Sequence, residues 1–178
     1  MHKSGKEDIK SIITFTSMIL SERNARRVLS LYPPLLFQRI SVKNFGPGFR
    51  TAEVRIAKSL FNRNYNKTIF GGTIFSAVDP VYVFMYWQIF ARKGIKVQSW
   101  LKSASIDYRK PGDTDLRVSF FLSEEDIREA EYQLDHAGKF VKKHSVQVLN
   151  SRDEVCAEAV TEVYMRKIGT TGKALSGF

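Results

Sequence analysis

The run from Phe70 to Phe90, FGGTIFSAVDPVYVFMYWQIF, constrains this chain more than any other stretch, because it is apolar on every side instead of along one stripe. As a helix it extends about 30 Å. With no polar face to offer water it has to be enclosed, and the rest of the chain is expected to cover it. A membrane span has the same length, and Lys67, Arg92 and Lys93 flank the run. Against a span stand Asp79-Pro80 in the first half, Gln88 near the end, and patterned polar strands on both sides. An Asp at the bilayer centre costs about 2.5 to 3.5 kcal/mol. The expectation is a core helix and no membrane span. Enclosure makes Asp79 the costliest group in the sequence, because a carboxylate out of water finds a partner or raises its pKa.

At 178 residues and 43% apolar content the chain has enough material for one sizeable core and needs no second domain. A formal charge of +10 implies an anionic partner: a nucleotide-bearing molecule, nucleic acid or a membrane surface. Nucleic acid is the weaker reading, since no reader motif is present and the basic residues are spread along the chain. The cluster Arg23, Arg26 and Arg27 is most simply a solvated helix face. One cysteine, Cys156, excludes an internal disulfide and falls in a strand-like run, so it reads as a small core residue. That points to a reducing, cytoplasmic setting, and Glu7 and Asp8 interrupt the basic start that a secretion signal would need. His2, His136 and His144 have no metal-ligand spacing, and neither a phosphate loop nor a serine nucleophile elbow occurs. No metal and no cofactor are expected.

The apolar residues Ile9, Ile12, Ile13, Thr16, Ile19 and Leu20, then Val28 and Leu29, recur at helical spacing until Pro33-Pro34 stops them. Residues 1–35 are therefore expected as a helical arm, 36–168 as the main domain and 169–178 as a flexible tail. Ile40 and Val42, then Ala52, Val54 and Ile56, alternate around the turn Asn44 to Gly48 and predict a hairpin with one buried face. An asparagine-rich loop, 62–68, leads into the long helix, which Arg92-Lys93-Gly94 closes. Strand patterns follow at about 97–109, where Ala104, Ile106 and Tyr108 alternate, and at 116–122. Ser123 to Asp126 reads as a capping box opening a charged helix that Gly138 ends. Strands at 140–149 and 155–166 complete an α+β architecture: a six-stranded antiparallel sheet wrapped around one long helix, with an N-terminal helical extension.

That element order, together with the segment Asn64 to Asp79, resembles the hotdog fold of the PaaI-like acyl-CoA thioesterases, and within them the DUF4442 family. The thioesterase motif, Asn, then His-Gly-Gly, then Asp seven positions after the second Gly, is matched by Asn64, Phe70-Gly71-Gly72 and Asp79. Lys102 to Gly112 is similar to the strand and turn after the helix. Phe70 stands where PaaI-like enzymes place histidine, which removes a polar group near the thioester.

The resemblance implies a CoA-type acyl thioester as substrate or ligand and a homodimer or dimer of dimers. Thioester hydrolysis needs donors for the developing oxyanion and a base or nucleophile at the carbonyl. Gly71 and Gly72 at the helix start would offer free N–H groups at the positive end of the dipole, and Asp79 would be base or nucleophile. Seven helical residues return Gly72 and Asp79 to nearly one face but set them about 10 Å apart. They cannot both touch one carbonyl in one chain, so the mechanism requires a second helix running antiparallel, Gly72 of one chain facing Asp79 of the other. Asn64, Phe70 and Ser76 are candidate substrate contacts, and Arg109, Lys110, Lys142 and Lys143 candidate CoA phosphate contacts. Each has a plainer reading: the glycines as a tight turn, Asp79 as an acceptor for backbone freed by Pro80, Asn64 as a loop cap, Ser76 as helix packing, the four cations as strand-end charges. The alternative function is a catalytically silent acyl-ligand or acyl-CoA binding module of the same fold.

Overall fold

The computed structural model describes residues 18–168. The helical repeat expected at Ile9 to Thr16, the N-terminal histidine and the tail at 169–178 lie outside the described residues. Helix α1 (Glu22–Leu31) is capped by Ser21, whose hydroxyl accepts from the Asn24 amide at 3.3 Å. Pro33-Pro34 does end it, and also opens the single turn α2 (Pro33–Leu36), because proline fits the first helical positions. Strands β1 (Ile40–Phe45) and β2 (Thr51–Ile56) form the expected hairpin in the register Ile40 to Ile56 and Val42 to Val54.

Helix α3 (Gly71–Arg92) follows, then β3 (Val97–Tyr108), β4 (Leu116–Phe121), α4 (Glu124–Ala137), β5 (Lys139–Asn150) and β6 (Val155–Lys167). The capping box of α4 is present, Ser123 and Asp126 each accepting from the other's amide, and Gly138 takes the left-handed conformation at φ 68°. One antiparallel sheet results, in the order β1-β2-β4-β5-β6-β3. It wraps α3, whose Ile74, Val78, Val81, Met85 and Phe90 are buried. Among the described residues α3 has the length and composition of a membrane span, but it is the core helix. Its one polar residue at the far end is explained: the Gln88 amide, fully buried, donates to the Met18 carbonyl at 3.1 Å and accepts from the Leu20 amide at 2.9 Å. Cys156 is buried in the core, where burial pushes its thiol up.

The two sheet edges differ. Edge β1 is covered by α1: Ala25 and Leu29 are buried, and the Ser30 hydroxyl accepts from the Val42 amide at 3.0 Å. Edge β3 has no neighbour on its outer side among the described residues. Of its twelve residues only Val97 is fully buried; Ala104 and Ile106 are half-buried, Ile106 against the core, and alternate with exposed Ser103, Ser105 and Asp107, while Tyr108 is exposed. A long uncovered edge is a pairing surface.

Candidate active site

The loop before α3 is built on Asn62. This residue is 3% exposed, and its side-chain amide donates to the carbonyls of Gln38 (2.8 Å) and Ala57 (2.9 Å) while its oxygen accepts from the Ser59 amide at 2.9 Å. Its own carbonyl accepts from the Phe70 amide at 2.8 Å, fixing where the helix begins. Asn64, the motif residue, turns inward on its loop, donating to the Thr68 hydroxyl at 3.0 Å and accepting from the Thr68 amide at 3.2 Å. Nothing in the sequence distinguishes Asn62 from its neighbours in an asparagine-rich stretch; only the fold selects it.

Phe70 is the N-cap residue of α3 and offers no side-chain cap, so the N–H groups of Gly71 and Gly72 bond nothing among the described residues. A side chain at either position has to displace an aromatic neighbour. A Cβ on Gly71 would stand 2.9 Å from the Tyr108 hydroxyl, and one on Gly72 only 2.4 Å from the Phe70 ring. Tyr108, at the end of β3, donates to the Gly71 carbonyl at 2.9 Å and so pins the strand to the helix start.

Asp79 is half-buried and makes no hydrogen bond or ion pair among the described residues. Burial alone pushes its carboxyl above the usual 3.8. Ser76, one turn earlier, donates to the Gly72 carbonyl at 2.9 Å and accepts from the Gln38 side chain at 3.1 Å, a connection the sequence gives no hint of. Gln38 also donates to the Pro34 carbonyl at 2.8 Å, so α2 and α3 share it. Gly72, Phe75, Ser76, Asp79, Pro80, Val83 and Trp87 are all half-exposed at helical spacing. They form one open stripe on α3, on the side of the uncovered β3 edge.

The four candidate phosphate contacts do not form one cluster. Arg109 and Lys110 both donate their backbone N–H to the Cys156 carbonyl, close to Tyr108 and thus to Gly71. Lys142 and Lys143 lie opposite Val163 and Glu162 on β6, about 20 Å farther along the strand. Arg109 pairs with Glu158 (2.8 Å), Lys110 with Glu154 (2.7 Å) and Lys142 with Asp126 (2.7 Å), while Lys143 is exposed. Lys110 also holds the Glu154 carboxyl down, to about 2. His144 is buried, stacked on Tyr82 at 4.3 Å and sharing a 3.1 Å hydrogen bond with the Tyr86 hydroxyl; burial lowers its pKa. No group of three or more potential metal ligands occurs among the described residues.

A family model described as a domain of unknown function, DUF4442, matches residues 22–165. The chain belongs to the DUF4442 family. The match starts at the first residue of α1. No curated protein matches this DUF4442 chain. Among solved structures, a Pseudomonas aeruginosa protein of unknown function, named in its own description a "Probable Thioesterase", is 20% identical, with a TM-score of 0.73 over 85% of this chain and 99% of its own. The Escherichia coli PaaI protein of the phenylacetic acid degradation operon is 17% identical, with a TM-score of 0.56 over 83% and 92%. A Haemophilus influenzae thioesterase is 8% identical, with a TM-score of 0.61 over 85% and 94%. What these proteins share with the DUF4442 chain is the hotdog fold.

Proposed function

We propose that this protein hydrolyses acyl thioesters of the CoA type at two sites shared across a homodimer. The observation that carries the reading is Asp79: a half-buried carboxylate without a counter-charge, on the open stripe of α3 that also holds the unpaired N–H groups of Gly71 and Gly72. A group of that kind costs stability, and a base for catalysis is a reason to keep it. Pairing of two β3 edges would cover the exposed strand and bring two antiparallel helices side by side, Asp79 of one opposite the glycines of the other.

In this arrangement the Asp79 carboxylate takes a proton from water as its oxygen attacks the thioester carbon. The N–H groups of Gly71 and Gly72 donate to the oxyanion, with the helix dipole adding to their field. The C–O bond forms, the C–S bond breaks, and the proton held by Asp79 passes to the leaving thiolate. Arg109 and Lys110, next to Tyr108 at the helix start, are the cations best placed to meet CoA phosphates, after exchanging Glu158 and Glu154 for them.

One observation favours the silent binding module instead: the Phe70 ring packs against Gly72, at the position where the resemblance to PaaI-like enzymes implies histidine. Thiol release from acyl-CoA separates the two. Wild type is expected to turn over and Asp79→Asn to lose about 10²- to 10⁴-fold, the usual contribution of a positioned base. Equal rates for both proteins would defeat the mechanism; binding without release in wild type would select the module.

A further inference from the structure

A cavity of about 440 Å³ opens between α1, α3 and the start of β3. It begins at Pro80, the residue after Asp79, and follows Val83, Phe84 and Trp87 down successive turns of α3. Val28 of α1 and Tyr32, the residue after that helix, close the opposite wall and Trp100 of β3 the third. Its volume is that of a small-molecule site, and its lining contains no charged side chain.

We propose that this cavity houses the unbranched hydrocarbon chain of the acyl group, and that Val28 of α1 and Tyr32 just after it determine how long a chain is accepted. The inference rests on the thioesterase reading, which puts the reacting carbonyl at Asp79. From there a chain continuing past Pro80 enters an apolar trough at once, and all three walls belong to the same protomer. The Ser99 hydroxyl oxygen is buried within the β3 wall, without a hydrogen-bond partner among the described residues, and leaves an alkyl chain unobstructed. Each methylene taken from water strengthens binding by roughly fourfold, so filling even part of the cavity gives steep discrimination between chain lengths.

The chain carries its own reporter. Trp87 and Trp100, the two tryptophans of the sequence, both line the cavity. Bromine near either ring quenches its fluorescence, so chain-brominated fatty acids read occupancy whether or not the protein turns over. The expected result is strong, saturable quenching by bromododecanoate and little by bromobutyrate at the same concentration. In parallel, Val28→Phe is expected to lower the ratio of dodecanoyl-CoA to butyryl-CoA turnover by on the order of tenfold, as loss of room for two methylenes implies. Turnover without quenching would overturn the cavity assignment and leave the thioesterase reading standing. Quenching without turnover would uphold the cavity and overturn the thioesterase reading. An unchanged chain-length ratio in a folded, dimeric Val28→Phe variant would overturn the role of α1, even if quenching is seen.

Discussion

Asn62 and Asn64 lie two residues apart in one loop, and the structure assigns them very different weights. Asn62→Ala would remove three well-formed hydrogen bonds, to the Gln38 and Ala57 carbonyls at 2.8 and 2.9 Å and from the Ser59 amide at 2.9 Å, and leave those part-buried backbone groups without their partner. At about 1 kcal/mol for each bond the loss is roughly 3 kcal/mol. For a chain of this length that corresponds to a fall in Tm of roughly 6 to 12 °C. Asn64→Ala removes bonds confined to Thr68 in a solvated turn and is expected to cost about 1 kcal/mol or less. The assay is urea unfolding of wild type and both variants followed by far-ultraviolet circular dichroism, with the midpoint and slope fitted together. The Asn62 variant should move the midpoint several times farther than the Asn64 variant at an unchanged slope. Equal shifts would refute the idea that the entry to α3 is anchored by Asn62.

Three further outcomes follow from the charges and the buried polar pair. The Asp79 carboxyl sits above its ordinary 3.8 because it is desolvated, so folding disfavours its charged form. That penalty is absent below 3.8, where the group is protonated folded or unfolded, and grows as pH rises through the folded pKa. Asp79→Asn should therefore melt above wild type at neutral pH and level with it in acid; melting below wild type at neutral pH would contradict an uncompensated carboxylate. Glu22 is the opposite case: Arg92, at 2.7 Å, holds its carboxyl down at about 2, so its contribution is full above 4.5 and is lost as pH falls through 2. Glu22→Gln should cost about 1 kcal/mol at neutral pH after solvent screening, and a cost that persists unchanged at the lowest pH would point to packing instead of charge. Tyr86→Phe deprives the buried His144 of its 3.1 Å partner and is expected to destabilise by about 1 to 3 kcal/mol in thermal unfolding; a neutral result would mean that the histidine finds another acceptor or donor.

The sheet and the central helix are legible in the sequence because their signals are local. Alternation at Ile40, Val42, Val54 and Ile56 sets a hairpin register, and Ser123, Asp126 and Gly138 mark both ends of α4 through backbone chemistry within a few residues. The site is less legible because its parts come from distant segments. Gln38 reaches Ser76 only after β1 and α2 are in place. Asn62 matters through carbonyls at positions 38 and 57. Lys142 looks free in sequence and is paired with Asp126 across α4 and β5. The β3 alternation shows only weakly: Ala104 and Ile106 are half-buried, Ile106 against the core, between exposed Ser103, Ser105 and Asp107, while Tyr108 at the strand end is exposed. Its outer edge, without a neighbour among the described residues, is where a second copy of the chain would pair.

The central claim, that each site takes Asp79 from one protomer and the glycine amides from the other, has a direct test in mixed dimers. Asp79→Asn removes the base, and Gly72→Pro removes one amide donor in the first helical turn, where proline is tolerated and the exposed Phe70 ring has room to swing aside. Each variant alone is expected to be inactive. Co-refolded in equal amounts, half of the dimers contain one of each and one intact site out of two, so the account predicts recovery of about one quarter of wild-type thiol release. A mixture that exchanges subunits yet remains as inactive as its components would place both functions within one chain and contradict the account.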